Sequence, residues 1–379
     1  MADLTGSYND KEKVENESNL GSRPPEEKVE AAMRILQKSV VEEKPEGYGG
    51  PMGLDVGTSN IVLAQNKGNR ISVTKQLNAF FIIPQSKFTR KILEQNEIAF
   101  FEHNKQYYII GDSAENFANM FNANTRRPME KGFLTLREDE GVAIIQAIIK
   151  TLVQRPKKLG EIICFSVPGE PVRDNHRSTS LGGHEAVIKM YLASLGYTPI
   201  AINEGLAVVM AELGDENFTG IGISMGGGLC NVCLTYMSVP VIAYSLQRGG
   251  DDIDENVSRE TGHSATKIKG IKEEGVDLST MPKNKIGLAL QIYYTDLINE
   301  LVHSMEKVIS SSDRIPKIAN PIPIVISGGT ASPKGFREKF ESDLRSIRLP
   351  FEIASVRVSK DLLNATAIGA LVMAVSEAK

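Results

Sequence analysis

Three segments of this chain place glycine where an apolar run ends and set polar groups beside it. They are Gly53-Leu-Asp-Val-Gly57-Thr58-Ser59-Asn60, Gly222-Ile-Ser-Met-Gly226-Gly227-Gly228-Leu, and Ile326-Ser-Gly328-Gly329-Thr330-Ala331-Ser-Pro333. Glycine at a strand end admits positive φ and carries no Cβ, so backbone N–H groups there can approach a phosphate or a sugar closely. The first turn adds hydroxyl donors at Thr58 and Ser59, is followed by Asn60, and has Asp55 just ahead of it. A carboxylate beside a polyphosphate repels it unless a cation sits between them, and Mg²⁺ held through water is the usual solution. One such turn alone is more often a plain tight turn. Three in order, widely separated, are the informative feature.

Strands must lead into these turns. From Met52 onward, short β-branched runs alternate with helical stretches, the pattern of an α/β protein. Strands are predicted at 52–54, 61–63, 71–74, 107–110, 162–167, 200–202, 221–224, 232–235, 241–245 and 322–327. Helices are predicted at 138–154, 174–195, 204–212, 251–261, 285–311, 333–344 and 364–375. In the longest helix Leu288, Ile292, Leu297, Leu301 and Val308 are expected to share the face packed on a sheet. No short repeat period is present, which argues against a solenoid or propeller.

Residues 1–50 differ in kind. They are rich in Glu, Lys, Asn, Ser, Pro and Gly and read as a flexible, disordered charged tail. They hold 11 acidic and 7 basic side chains, while the remainder holds 36 of each sign, so the whole net charge of −4 lies in the tail. Within it Val29, Met33, Leu36 and Val40 recur at helical spacing, so 26–42 fits an amphipathic helix. That helix is either solvated or docks on a protein partner or a membrane surface. No basic field marks a nucleic-acid groove, and no nucleic-acid partner is expected. The absence of an apolar leader or a long apolar run points to a cytoplasmic protein. Cys164, Cys230 and Cys233 are too few for a disulfide framework. Cys230 and Cys233 stand three apart in a predicted strand, so they face opposite sides and are read as structural.

Gly53-Leu-Asp-Val-Gly-Thr-Ser resembles the first phosphate loop of the actin-like ATPase superfamily, which includes actin, DnaK-type chaperones, MreB and sugar kinases. Residues 221–232 stand where that superfamily has its second phosphate loop, and 326–336 resembles its adenosine loop. The segment around Tyr108-Ile-Ile-Gly111-Asp112 is similar to bacterial actins such as MreB and MamK. The resemblance covers the chain from about Met52 to its end. It implies two actin-like, ribonuclease H-like domains closing over ATP or ADP with Mg²⁺, with domain I at 51–199, joined by a returning helix at 364–379, and domain II at 200–363. It further implies phosphate and nucleoside contacts from Gly57, Thr58, Ser59, Asn60, Gly226, Gly227, Gly228, Gly328, Gly329 and Thr330. Lys267 and Lys269 fall where the family places basic residues beside the nucleoside; otherwise they are solvated helix charges. Ile202-Asn203-Glu204-Gly205 resembles the start of the family's connecting helix, which implies that Glu204 reaches the magnesium through water, as Asp55 does.

The second loop departs from that pattern. The family carries Asp-x-Gly-Gly-Gly-Thr there, and this chain has Ser224 for the carboxylate and Leu229 for the threonine. Backbone donors survive, so binding outlasts hydrolysis. Glu170, Asp174 and Asn175 are the candidates to orient the attacking water; Asp174 is equally well placed as a helix cap. Little sequence lies between Asp254 and Ile292 for the small β subdomain of bacterial actins. The expectation is a bacterial cytoskeletal or scaffold protein with slow or absent hydrolysis, self-associating into filaments. The alternatives are a nonpolymerising chaperone-like pseudo-ATPase regulator and, third, a small-molecule kinase.

Overall fold

A computed structural model of the chain describes residues 49–121, 123–135, 140–172 and 181–378. The expected tail and its 26–42 helix lie outside the described residues, as do Asp174 and Asn175.

The chain opens with a meander, β1 (Met52–Val56), β2 (Asn60–Lys67) and β3 (Arg70–Leu77). A small subdomain follows, made of β4 (Phe80–Pro84), α1 (Lys87–Gln95), β5 (Phe100–His103), β6 (Gln106–Ile110) and α2 (Asp112–Met120). Its three-stranded sheet, in the order β4-β6-β5, has its own apolar cluster around Leu93, Tyr107 and Ile109. A two-residue hairpin, β7 (Met129–Glu130) and β8 (Phe133–Leu134), then leads through α3 (Gly141–Leu152), β9 (Ile162–Val167) and α4 (Leu181–Ser194) to β10 (Thr198–Asn203). The five main strands form one sheet in the order β10-β9-β1-β2-β3.

The second half repeats the plan. After α5 (Glu204–Glu212) come β11 (Gly220–Met225), β12 (Cys230–Tyr236) and β13 (Val239–Leu246), then α6 (Gly250–Thr261), α7 (Ala265–Glu274), α8 (Lys285–Ser310), β14 (Ile322–Ser327), α9 (Phe336–Leu344), β15 (Ile353–Val358) and α10 (Ala365–Glu377). Its sheet runs β13-β12-β11-β14-β15. Both sheets have an antiparallel meander on one side and two parallel strands on the other. The first two strands of each meander enclose one of the first two glycine-rich turns. Asp55 and Ser224 occupy matching places, each two residues beyond a strand glycine and two before the turn glycine.

Those strand glycines decide the middle of the molecule. A Cβ on Gly53 would collide with the backbone of Ala367 and Leu371 in α10, and one on Gly222 would collide with the carbonyl of Gly205 in α5. Because neither is present, α10 lies directly on β1 and α5 on β11, and the two helices meet where a Cβ on Gly369 would strike the Ala207 carbonyl. The apolar interior accordingly divides in two: one core around Leu54, Phe165 and Ile145, the other around Ile223, Tyr294 and Phe336.

Two sequence expectations need correction. In α8, Leu297 and Leu301 are buried as expected, but Leu288 and Ile292 are each 50% exposed. The buried row starts at Leu290 and continues through Tyr294, Leu297, Ile298, Leu301 and Met305. The missed elements include the edge strand β15 and the helix α7, whose periodic apolar content is low. Cys230 and Cys233 are buried thiols on β12, Cys230 in the second core and Cys233 against Gly205. Among the described residues no strand lies between β13 and β14, where α6, α7 and α8 follow one another.

Candidate functional site

The first turn is fixed from several sides. Gly57 N–H donates to the Asn60 carbonyl at 3.0 Å, and the buried Asn78 side chain donates to the Gly57 carbonyl at 2.9 Å. Asn60 itself is exposed at the start of β2. Ser166 on β9 accepts from Val56 N–H at 2.9 Å and donates to Asp55 Oδ1 at 2.7 Å. Thr58 is buried, and its hydroxyl accepts from Gly132 N–H at 3.1 Å.

The second turn lies against the first. A Cβ on Gly227 would collide with Ser59 Oγ, and one on Gly228 would lie 2.6 Å from Gly132 N. Side chains at these positions would fill the gap between the two domains, so glycine is needed for their close approach. The third turn joins through Thr330, whose hydroxyl donates to the Gly226 carbonyl at 2.8 Å. Gly329 lies on the same turn, in contact range of Leu363, and Gly328 N–H donates to the Leu362 carbonyl at 2.7 Å. The helix α6 starts on the second turn, with Gly250 N–H and Asp251 N–H donating to the carbonyls of Gly226 and Gly227. Thus the three turns, far apart in sequence, converge at the junction of the two halves.

Behind the first two turns stand two neighbouring carboxylates, Asp55 and Glu204. Asn203 caps α5 by accepting from the N–H groups of Gly205 and Leu206, which sets Glu204 on the first turn of the helix. Ser224 Oγ donates to Glu204 Oε2 at 3.0 Å. Burial raises the Glu204 pKa, and the nearby charge of Asp55 adds to it. Burial also raises Asp55, partly offset by the bond from Ser166. The buried Asn231 accepts from Gly169 N–H at 2.8 Å, while its side-chain nitrogen has no partner in hydrogen-bond geometry but lies near enough to Glu204 to favour its ionised form. Two neighbouring carboxylates suit a hydrated Mg²⁺ carried in with an anionic ligand, since Mg²⁺ takes one or two carboxylates plus phosphate oxygens. Among the described residues no three His, Cys, Asp or Glu side chains gather into a metal cage.

The hairpin β7–β8 is a further component, and its motif carried no signal in the sequence reading. Its tip, Lys131 and Gly132, turns with positive φ at both residues, the geometry of a two-residue hairpin loop. A Cβ on Gly228 would come within 3.1 Å of Lys131 Cα, and one on Gly132 would collide with Leu229. The hairpin therefore reaches from the first half onto the second turn; burial raises the Asp252 carboxyl there, and the backbone bond from Gly249 and the Lys131 charge partly offset the rise. Arg127 also crosses, pairing with Asp251 at 2.7 Å.

Of the lysines on α7, Lys267 is exposed with Nζ 3.5 Å from His263, and Lys269 reaches across to Glu115 on α2 at 3.6 Å. Thr266 likewise crosses to Asn124 at 2.9 Å. The lysine that reaches the turns is Lys272, bonded to the Gly250 carbonyl at 2.8 Å and Asp254 at 2.7 Å. A Cβ on Gly250 would lie 3.0 Å from its Nζ and 2.7 Å from Thr330 Oγ1. Glu170 has an exposed side chain, and its carbonyl accepts from Ser245 N–H at 2.8 Å. An open cavity of about 430 Å³ borders the third turn on its outer side, lined by Ala331, Ser332, Pro333, Arg357 and Leu362 among others. No residue of the first two turns lines it, so it is distinct from the place where the turns meet.

The family model described as Volactin matches residues 51–374. No curated protein matches the sequence. Among solved structures, the chain is similar to a MamK double helical filament, with a TM-score of 0.64 and 18% identity over 86% of this chain and 99% of that one. It is also similar to MreB 5 of Spiroplasma citri bound to AMPPNP, with a TM-score of 0.61 and 13% identity over 85% of this chain and 95% of that one. A non-polymerising MamK mutant bound to AMPPNP matches with a TM-score of 0.53 and 17% identity, over 86% and 98% of the two chains. The fold is the actin-like one.

Proposed function

The chain belongs to the Volactin family, and from that membership and the cleft geometry we propose that it is an actin-like protein that binds ATP or ADP with Mg²⁺ between its two halves. The observation that carries the reading is the meeting of the three turns: Ser59 against Gly227, Thr58 against Gly228 across Gly132, and Thr330 bonded to Gly226. Gly57, Gly226, Gly227, Gly228, Gly328 and Gly329 offer backbone to the nucleotide, Thr58, Ser59, Asn60 and Thr330 offer polar side chains, and Lys272 joins Lys267 and Lys269 as a candidate at the nucleoside side. Asp55 and Glu204 hold Mg²⁺ through water. Bound Mg²⁺ neutralises the charge that a polyphosphate would otherwise bring beside two carboxylates. Two similar folds are solved with AMPPNP, which supports a nucleotide as the ligand.

Turnover is slow in this reading. The hydroxyl of Ser224 donates to Glu204 and cannot accept a proton as a carboxylate would. A positioned proton-handling group contributes roughly 10²–10⁴ in rate. Glu170, Asp174 and Asn175 remain the candidates to orient water. The protein is proposed to work in the cytoplasm as a cytoskeletal or scaffold protein that self-associates, in keeping with its likeness to a filament-forming fold. No helix among the described residues is long and apolar enough to cross a membrane. A second reading, a nonpolymerising regulator that closes on nucleotide, is favoured by the described residues having no strand between β13 and β14.

Calorimetric titration of ATP and ADP, with and without Mg²⁺, tests the binding reading; no heat with either nucleotide removes it. Phosphate release on the native chain and on Ser224→Asp tests the hydrolysis reading. The variant is expected to gain at least about tenfold; fast release by the native chain contradicts the role given to Ser224. Pelleting with ATP separates the filament from the regulator.

A further inference from the structure

At the end of the first sheet remote from the turns, the loop between α3 and β9 carries Arg155, Lys157 and Lys158, and Lys150 lies near the end of α3. All four side chains are exposed, and among the described residues none is in an ion pair. Partial burial and the charge of Arg155 hold Lys150 below its ordinary pKa, so the cluster repels itself. At its tip Leu159 is 87% exposed and lies over Gly196, where a Cβ would collide with its Cδ2. Like charges around a protruding leucine fit an acidic, amphipathic segment.

Such a segment begins at this spot. A Cβ on Gly49 would lie 3.3 Å from Lys157 Cδ, so the residues before it leave from beside the basic loop. They carry the whole negative excess of the sequence, and Glu42, Glu43 and Glu46 come within seven residues of Gly49, a span of at most about 25 Å. Ahead of them Val29, Met33, Leu36 and Val40 supply an apolar stripe. We propose that residues 26–46 dock on the loop at 153–160 of the same chain, acid on base, with the apolar stripe covering Leu159. The segment is then held at the base of the first domain, away from the nucleotide turns.

Tryptic cleavage after Arg34 in the full chain reads the docking, because protease samples the undocked population. Cleavage is expected to be about tenfold slower in the native chain than in R155E/K157E/K158E, the summed effect of several surface ion pairs and one apolar contact. It should be independent of protein concentration and faster at high salt. Adding E42K/E43K/E46K to the reversed loop should restore the slow rate, which a general loss of structure would not allow. Equal rates in the native and loop-reversed chains overturn the proposal. Protection that grows with protein concentration assigns the loop to a second copy, and protection seen only with phosphatidylserine vesicles assigns it to a lipid surface; either result overturns docking within one chain.

Discussion

His184 shows how a single buried group ties stability to pH. It lies on α4, edge-on to Phe133, with Nδ1 accepting from Leu134 N–H and Nε2 unpartnered. Burial pushes its pKa down to about 4. The unfolded chain takes up this proton near pH 6.5, whereas the folded chain resists until about 4. The neutral ring therefore favours the fold fully above pH 6.5, and that contribution is lost as pH falls from 6.5 to 4. Its size is about 3 kcal/mol. His184→Asn keeps an acceptor for the Leu134 amide, and denaturant titrations from pH 4 to 7 should show a slope flatter by about that amount; an unchanged slope would refute the assignment. Single residues were unevenly legible in the sequence. Asp55 and the turn glycines announce themselves because glycine beside a hydroxyl or carboxylate is a local pattern. Lys272 does not, because α7 carries Lys267, Lys269 and Lys272 and only the helix phase set by the Ser264 cap decides which points inward. The pairing of Ser224 with Glu204 joins residues 20 apart that lie on different elements.

At the scale of elements, α8 separates periodicity from burial. Its sequence is apolar on more than one side, so spacing alone admits several rows, and packing against β13, α6 and α9 selects the row through Tyr294, Leu301 and Met305. Leu301→Ala is expected to cost about 2–5 kcal/mol through the cavity it leaves. Ile292→Ser, half-exposed, should change stability by less than about 0.5 kcal/mol. Equal losses in urea unfolding would contradict this placement. The strands that feed the turns were the easiest elements to read, being short β-branched runs ended by glycine. β4, β5 and the edge strand β15 were harder, being short runs with no glycine turn to mark where they end.

For the whole molecule, the contacts that span the two halves set how far they open. Arg127 with Asp251, Lys269 with Glu115 and Thr266 with Asn124 cross on the side of the small subdomain, while Gly169 is held by Asn231 and Ser245 at the other. Surface ion pairs contribute only about 0–1 kcal/mol each, so this side should yield first. R127A combined with E115K is expected to raise the radius of gyration of the nucleotide-free chain in X-ray scattering and to weaken ATP binding severalfold. An unchanged radius would mean the crossing contacts do not govern closure. The joining of the turns was legible only through the family resemblance, since nothing local in Gly57, Gly227 or Gly329 encodes their meeting.

The position of α10 against β1 also bears on synthesis. The strand made at residues 52–56 is completed by a helix made at residues 365–377, with Gly53 lying beneath Ala367 and Leu371. On the ribosome, one face of the earlier sheet can be covered by α3 and α4 as they emerge, but the face under α10 must wait for the end of the chain, so the part translated first is the last to close.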